Sequence, residues 1–283
     1  MSIRIIAPGP LALIQDLGRP GAASLGLGPG GALDRRSLLA ANALVGNAPS
    51  SAGIEILLGG FSVEFLEAGL IAVTGAAGLL TLDGGPVALN TALPVRAGSR
   101  LSIAASSAGL RFYLAVSGGV LAEPLAGSLS RDVLAEMGPA ALAAGDLLEI
   151  GQSSWAAASS VLFRDPPQPE QVLSLRLSRG PRLDWFAPGS WAALTSRQWS
   201  VSADSNRIGA RLLGQPLEFA RSEQLPSEGM VTGALQVPPS GLPTIFLADH
   251  PVTGGYPVIA VVRRADLDLL AQARPGQKIR FLG

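Results

Sequence analysis

The sequence predicts a mainly β protein built as two barrels or sandwiches, with a few short helices plugging their ends. Three observations carry that reading. Apolar residues gather in short runs of strand length. Glycine and proline, 35 and 22 of 283 residues, make up about a fifth of the chain and punctuate those runs. One turn-to-strand pattern recurs at residues 97–103, 144–150 and 275–281, each time a glycine turn feeding an alternating strand.

Taken in order, Asp34 caps a first helix running to about Val45, with Leu38, Ala41 and Val45 on one face and Gly46 as the stop. Phe61, Val63 and Phe65 alternate with Ser62 and Glu64, a half-buried strand. Residues 71–73, 112–116, 245–248 and 258–262 read as buried strands that end in Gly-rich turns. A short helix follows Ser190 with Trp191 and Leu194 inward, and another covers residues 266–273, burying Leu267 and Leu270 before Pro275. Between the halves, residues 152–160 are rich in Ser and Ala, and Asp165-Pro166-Pro167-Gln168-Pro169 is stiff and extended. The expected domains are therefore 1–160, which carries a Gly-rich loop and the first helix, and 161–283.

Composition excludes several classes. With 48% hydrophobic residues and zero formal net charge, the chain is neither a disordered segment nor a charge-driven nucleic-acid binder. The stretch 68–82 carries no charge but is broken by Gly69, Gly75 and Gly78, so it does not read as a bilayer span, and the N-terminus does not read as a signal peptide. The absence of cysteine fits a cytoplasmic location and removes disulfides, thiolate metal sites and thiol nucleophiles. There is one lysine, Lys278, and one histidine, His250. A Walker-type loop needs a Gly-Lys pair, which is missing, and a two-histidine zinc site is impossible. No Gly-x-Ser-x-Gly occurs. Anions must then be held by arginine, backbone N–H groups or a bound cation, and no metal site is expected from the residues themselves.

Several motifs remain. Gly26-Leu27-Gly28-Pro29-Gly30-Gly31 matches Gly-x-Gly-x-x-Gly, but Pro20-Gly21-Ala22-Ala23-Ser24 precedes it instead of a buried strand, against a dinucleotide fold. It is either an anion-binding turn at a helix N-terminus or a tight connection. Gln15-Asp16-Leu17-Gly18-Arg19 sets a carboxylate beside a guanidinium, either as a turn-fixing ion pair or as a site. Asn42, Asn47 and Glu55 flank the first helix, and Asn42 sits where asparagine is a poor helix former. The second half brings Arg207, Arg211, Ser227, Glu228, Gln236, Asp249, His250, Thr253, Gly254, Gly255 and Tyr256 close in sequence, beside strand ends and Gly turns where sites are commonly built. They read as a carboxylate or phosphate clamp, or as a solvated rim.

Together these runs resemble the biotin-dependent carboxyltransferase family, also called the allophanate hydrolase subunit 2 family. Its marks are Gln15-Asp16-Leu17-Gly18-Arg19, Gly31-Ala32-Leu33-Asp34, Ala41-Asn42-Ala43-Leu44-Val45-Gly46-Asn47, Val73-Thr74-Gly75-Ala76, Tyr113-Leu114-Ala115-Val116-Ser117-Gly118-Gly119, Gly233-Ala234-Leu235-Gln236-Val237-Pro238 and Thr253-Gly254-Gly255-Tyr256-Pro257. The family usually has Asp at Asn206, Arg at His250, Gln at Pro251 and Thr at Val252, and its Gly-Ser-Arg-Ser-Thr run is here Gly127-Ser128-Leu129-Ser130-Arg131.

The resemblance implies two cyclophilin-like β-barrel domains facing a cleft. It also implies a B-type partner subunit, with a third A-type subunit as a further candidate. The first activity implied is that of an ATP-dependent amide or lactam hydrolase component, as in the C subunit of 5-oxoprolinase, silent without its partner and using ATP with magnesium. The alternatives are the carboxyltransferase component of a urea carboxylase system, with biotin supplied by another chain, and a non-catalytic Kip-type regulator that binds a kinase inhibitor. On the first reading Asp34 or Asp249 holds magnesium or orients water, and Arg207 and Arg211 neutralise a phosphoryl group or the substrate carboxylate. His250 then meets the substrate, and the remaining residues named above line its site. On that reading Arg207→Ala stays folded and loses turnover.

Overall fold

The computed structural model describes residues 1–152, 161 and 163–283. The Ser/Ala-rich linker expected at 152–160 therefore lies almost wholly outside the described residues. The chain divides into two compact units: Met1–Arg19, Gly30–Asp132 and Glu136–Pro166 form the first, and Pro20–Pro29, Val133–Ala135 and Pro167–Gly283 the second. The main division falls at Pro166 and Pro167, and two short excursions of the first half belong to the second unit.

The first unit is built from two sheets. One runs in the order Leu147–Glu149, Ser2–Pro8, Phe61–Phe65, Arg100–Ile103, Leu80–Leu82, Gly85–Val87. The other runs Leu11–Gln15, Gly53–Leu57, Ala108–Val116, Gly69–Ala77, Leu93–Val95. Every pairing is antiparallel, as short strands joined by glycine turns allow. The alternation read at Phe61, Val63 and Phe65 turns those side chains into one core that also takes Ile3, Ile5, Ile54, Ile56 and Phe112 from both sheets. The Ala108–Val116 strand is buried along its whole length. That explains why it reads as a continuous apolar run rather than an alternating one.

Helix α1 (Arg35–Leu44) packs on this unit. Leu38 and Ala41, with Val45 just beyond its end, face Tyr113, Ala72 and Ala115, and the side chain of Asp34 accepts the Ser37 N–H at 3.0 Å, a true N-cap.

In the second unit the sheet closes. Strands Leu173–Arg179, Val258–Val262, Ala234–Gln236, Thr244–Phe246, Gly209–Leu213, Gln198–Val201 and Lys278–Leu282 form a barrel. Closure is made by a parallel pairing of the first and last of these, from Leu173 opposite Ile279 to Arg176 opposite Leu282. Closing the sheet removes exposed edges, and Leu173, Leu175, Trp199, Leu235, Ile245, Ile259, Ile279 and Phe281 fill the interior. Helix α2 (Ser190–Ser196) lies beside Trp199, whose indole N–H donates to Leu194 O at 3.1 Å. Helix α3 (Arg264–Ala271) is tied down by Asp266, which takes two guanidinium bonds from Arg176 at 2.7 and 2.9 Å. Mainly β architecture with three short α-helices among the described residues is thus what the structure shows. No helix among them is long and apolar enough to cross a membrane.

Candidate functional site

The residues singled out from sequence fall into separate clusters within each unit. In the first unit, Asp16 is a hub. Its Oδ1 accepts from Gly18 N at 2.7 Å, Ser128 Oγ at 2.6 Å and Ser130 Oγ at 2.5 Å, and its Oδ2 accepts from Leu129 N at 2.7 Å. Four donors fill the roughly four lone-pair sites of a carboxylate. Gln15 Nε2 donates to Arg131 O at 2.8 Å, and Arg19, fully buried, donates to Ser130 O and lies 4.0 Å from Asp132. The 15–19 run therefore fastens the 125–132 segment. Gln15 Oε1 and Arg19 Nη1 are buried without a hydrogen-bond partner.

The Gly-rich turn is a tight connection. A Cβ on Gly31 would stand 2.8 Å from Gly18 N, and its φ of 89° suits glycine. The N–H groups that follow are satisfied internally: Ala32 by Asp16 O, Leu33 by Glu55 and Asp34 by the Tyr113 hydroxyl. Tyr113 in turn donates to Glu55 Oε2 at 2.8 Å, and Arg111 lies 3.5 Å from the other oxygen. Burial, then the charges of Glu55 and Asp34, push the Tyr113 phenol well above its ordinary value of 10. Asn42 and Asn47 form a third cluster. Asn42 donates to Ser51 O, while Asn47 donates to Asn42 Oδ1 and Val116 O and accepts from Gly118 N, all at 2.8–3.1 Å. Asparagine inside the helix is explained by this bracing.

In the second unit Arg207 and Asp249 form a buried two-pronged pair at 2.8 and 3.0 Å, and Asp249 also accepts from Val133 N at 3.1 Å. Asp34, which holds Ser37 through both oxygens, and Asp249 are therefore both engaged inside the protein. Among the described residues no group of three or more His, Asp or Glu side chains is placed to hold a metal ion.

His250 is buried, stacks on Phe246 with centroids 5.7 Å apart, and sits with Nδ1 2.7 Å from Pro251 O. Since a carbonyl only accepts, Nδ1 carries the proton there. At Asn206 the side-chain oxygen accepts from Ile208 N and Gly209 N, a turn-fixing role that an aspartate could also play. Arg211 and Ser227 are exposed. Glu228 is paired with Arg182, whose hydrogen bond holds its carboxyl below the usual range.

A cavity of this unit lies elsewhere on the chain, and it takes in the last of the motif residues. It encloses about 520 Å³ and is lined by Trp185, Phe219, Arg221, Tyr256 and Pro257, with Gly255, Leu225, Val237, Pro239 and the polar stretch 222–224. Local hydrogen bonds set its walls. Gln236 Nε2 donates to Tyr256 O at 3.2 Å and Val237 N to Pro257 O at 3.0 Å, fixing one side. A Cβ on Gly254 would stand 2.6 Å from Gln236 Nε2, so a side chain there would push Gln236 off its bond to Tyr256. Across it, Ala187 N donates to Glu218 O and Ala220 N to Trp185 O, and Phe186 stacks on Phe219 at 5.1 Å. Arg221 lies over the Trp185 ring at 5.7 Å and pairs with Asp184 at 2.7 Å.

The carboxyltransferase domain model, subdomains A and B, matches residues 25–282, which spans this cavity and nearly everything else. The chain belongs to the carboxyltransferase-domain family. Its relatives include the C subunit of the Escherichia coli 5-oxoprolinase, 38% identical over 99% of this chain and 90% of that protein. The C subunit of the Haemophilus influenzae 5-oxoprolinase is 36% identical over 95% and 87%. Among solved structures, the urea amidolyase of K. lactis superposes with a TM-score of 0.92 at 29% identity, over 99% of this chain and 18% of that one.

Within this carboxyltransferase domain the sequence reading brought Gly255 and Tyr256 to the cavity and Gln236 to its support. It did not reach Trp185, Phe219 or Arg221. The only signal was the aromatic pair Trp185-Phe186 in a chain with four Trp and eight Phe, and nothing in one dimension ties it to Tyr256.

Proposed function

We propose that this chain is the C component of a 5-oxoprolinase-type complex, which opens the lactam of 5-oxoproline with ATP in company with a B-type subunit. The observation that carries the reading is the likeness to two 5-oxoprolinase C subunits across nearly the full length of all three chains. The inventory of groups supports a shared site. The chain has no cysteine, its one lysine bonds to Ser200 at 2.6 Å, and its best-placed carboxylates are engaged internally. Such a chain binds and orients rather than supplying a nucleophile of its own.

The chemistry follows from the leaving group. A lactam nitrogen leaves poorly from a carbonyl, so the γ-phosphoryl group of ATP is transferred to the carbonyl oxygen. Water then adds to the activated carbon, the C–N bond breaks with the ring nitrogen taking a proton, and a second water hydrolyses the acyl phosphate so formed to the free carboxylate and phosphate. The magnesium comes with ATP, and phosphate charge is balanced by that ion and arginine. A cytoplasmic location for the complex is in keeping with a chain free of cysteine.

The test is to purify this chain with its B-type partner, with and without an A-type subunit, and measure ATP hydrolysis. Turnover that depends on 5-oxoproline and on both chains is expected. Turnover stimulated by urea and dependent on a biotinylated chain would instead favour the carboxyltransferase reading, which the urea amidolyase likeness supports. Tight partner binding with no turnover on any amide would leave a regulator.

A further inference from the structure

We infer that the cavity lined by Trp185, Arg221 and Tyr256 in the second unit is the binding site for the substrate ring, and that it selects a small cyclic amide bearing one carboxylate. This rests on the 5-oxoprolinase-type reading and adds a location and three recognition groups to it.

The first group is Trp185. Its side chain is 9% exposed, yet its indole N–H has no hydrogen-bond partner among the described residues and is not sealed off by protein. Buried tryptophan usually finds an acceptor for that proton. Here the ring lines a cavity of about 520 Å³, inside the range that small-molecule sites occupy. A lactam carbonyl is an acceptor of the right kind.

The second group is Arg221, whose guanidinium stacks on the same ring and spends one nitrogen on Asp184. Its other donors remain for a carboxylate. The third is Tyr256, 47% exposed, whose hydroxyl is without a partner among the described residues. Phe219, Pro239 and Pro257 supply apolar walls for ring carbons.

The charge balance narrows the ligand. One arginine already shared with Asp184, with Glu223 also in the lining, leaves no positive surplus for a triphosphate, and a single carboxylate would be met by the guanidinium's unspent N–H donors rather than by net charge. The cavity therefore suits the lactam acid rather than the nucleotide.

The experiment uses the complex with its B-type partner and reads KM separately for 5-oxoproline and ATP. Trp185→Phe keeps the ring and deletes the donor; Arg221→Gln keeps length and deletes the charge at an exposed position. Each is expected to raise KM for 5-oxoproline about tenfold, the worth of one good hydrogen bond, while KM for ATP stays put. Direct calorimetry with two analogues assigns the contacts. The neutral 5-oxoproline amide should bind wild type more weakly than the acid, and Arg221→Gln should erase that preference. Proline, which lacks the lactam carbonyl, should bind wild type more weakly, and Trp185→Phe should erase that difference.

The inference is overturned if both variants turn over 5-oxoproline with wild-type KM, or if they raise KM for ATP instead. In either case substrate-dependent turnover still stands, so the functional reading survives its loss. Should Trp185→Phe fail to fold, Arg221→Gln and Tyr256→Phe carry the same test.

Discussion

Two regions hold most of the polar chemistry of this chain, and they use it in opposite ways. Around Asp16 in the first unit, carboxylate, hydroxyls and guanidinium are buried and bonded to one another and to backbone, with Gln15 Oε1 and Arg19 Nη1 the exceptions. Around Trp185 in the second unit, an indole N–H, a phenol and most of a guanidinium are without partners among the described residues, beside an open cavity. Charged motifs that look like active sites can serve folding, while the groups beside the cavity stand out only by being unspent. Buried and satisfied polar groups specify a unique arrangement; unsatisfied ones beside a cavity invite a ligand.

The sharpest way to break this contrast is at Arg207 and Asp249. If the pair is structural, Arg207→Ala leaves a carboxylate buried without its counter-charge, and stability should fall by about 3–5 kcal/mol. That is the opposite of the outcome the sequence motif suggested, a folded protein without turnover. Denaturant unfolding decides it: a variant as stable as wild type but inactive would return the pair to the active site. Asp16→Ala comes next. It strips the acceptor from two serine hydroxyls and two backbone N–H groups, and a loss of about 3 kcal/mol is expected. An unchanged unfolding midpoint with a raised KM would make the hub a ligand site and erase the distinction between the regions.

Tyr113 offers a smaller effect with a pH signature. Tyr113→Phe removes the bridge between Asp34 N and Glu55 at a cost of about 2 kcal/mol. The phenol titrates higher in the folded state than in the unfolded one. Above about pH 10 the unfolded chain gives up this proton while the folded chain keeps it, so stability falls as pH rises, by up to about 1.4 kcal/mol per pH unit. Wild type minus Tyr113→Phe, followed by urea unfolding from pH 8 to 11, should show that slope. Parallel curves would mean that the phenol is open to solvent.

What was legible in the sequence was whatever local pattern encodes. Alternation at Phe61, Val63 and Phe65 yields the strand, and Asp34 yields the cap, because both depend on near neighbours. Mainly β architecture follows from many such segments. The partners of Asp16 lie more than a hundred residues away, at Ser128 and Ser130, and Arg207 meets Asp249 from 42 residues away. The sequence offers the charges but not their pairing. The cavity was the least legible, since Trp185, Arg221 and Tyr256 come from three segments well apart in sequence. The strand 234–236, by contrast, announced itself, and Gln236 at its end supports the cavity wall.

Glu228 gives the finest test of the contrast, because it is polar and paired but not deeply buried. The Arg182 bond holds its carboxyl below the ordinary value of 4.5. A carboxyl depressed in the folded state contributes stability that is present above its unfolded value and lost as pH falls through the folded one. The contribution should be small, since both side chains reach solvent and an exposed pair is screened. Glu228→Gln should therefore move the melting temperature less than any variant above, and the difference, present above the ordinary value of 4.5, should fade as pH falls below it. Its strand pairs Glu228 with Gly254, next to the wall residues Gly255 and Tyr256. Were Glu228→Gln to cost as much as Tyr113→Phe at every pH, the turn that carries Tyr256 would be as tightly built as the Asp16 cluster, and openness of the cavity would have to be explained without any slack in its wall.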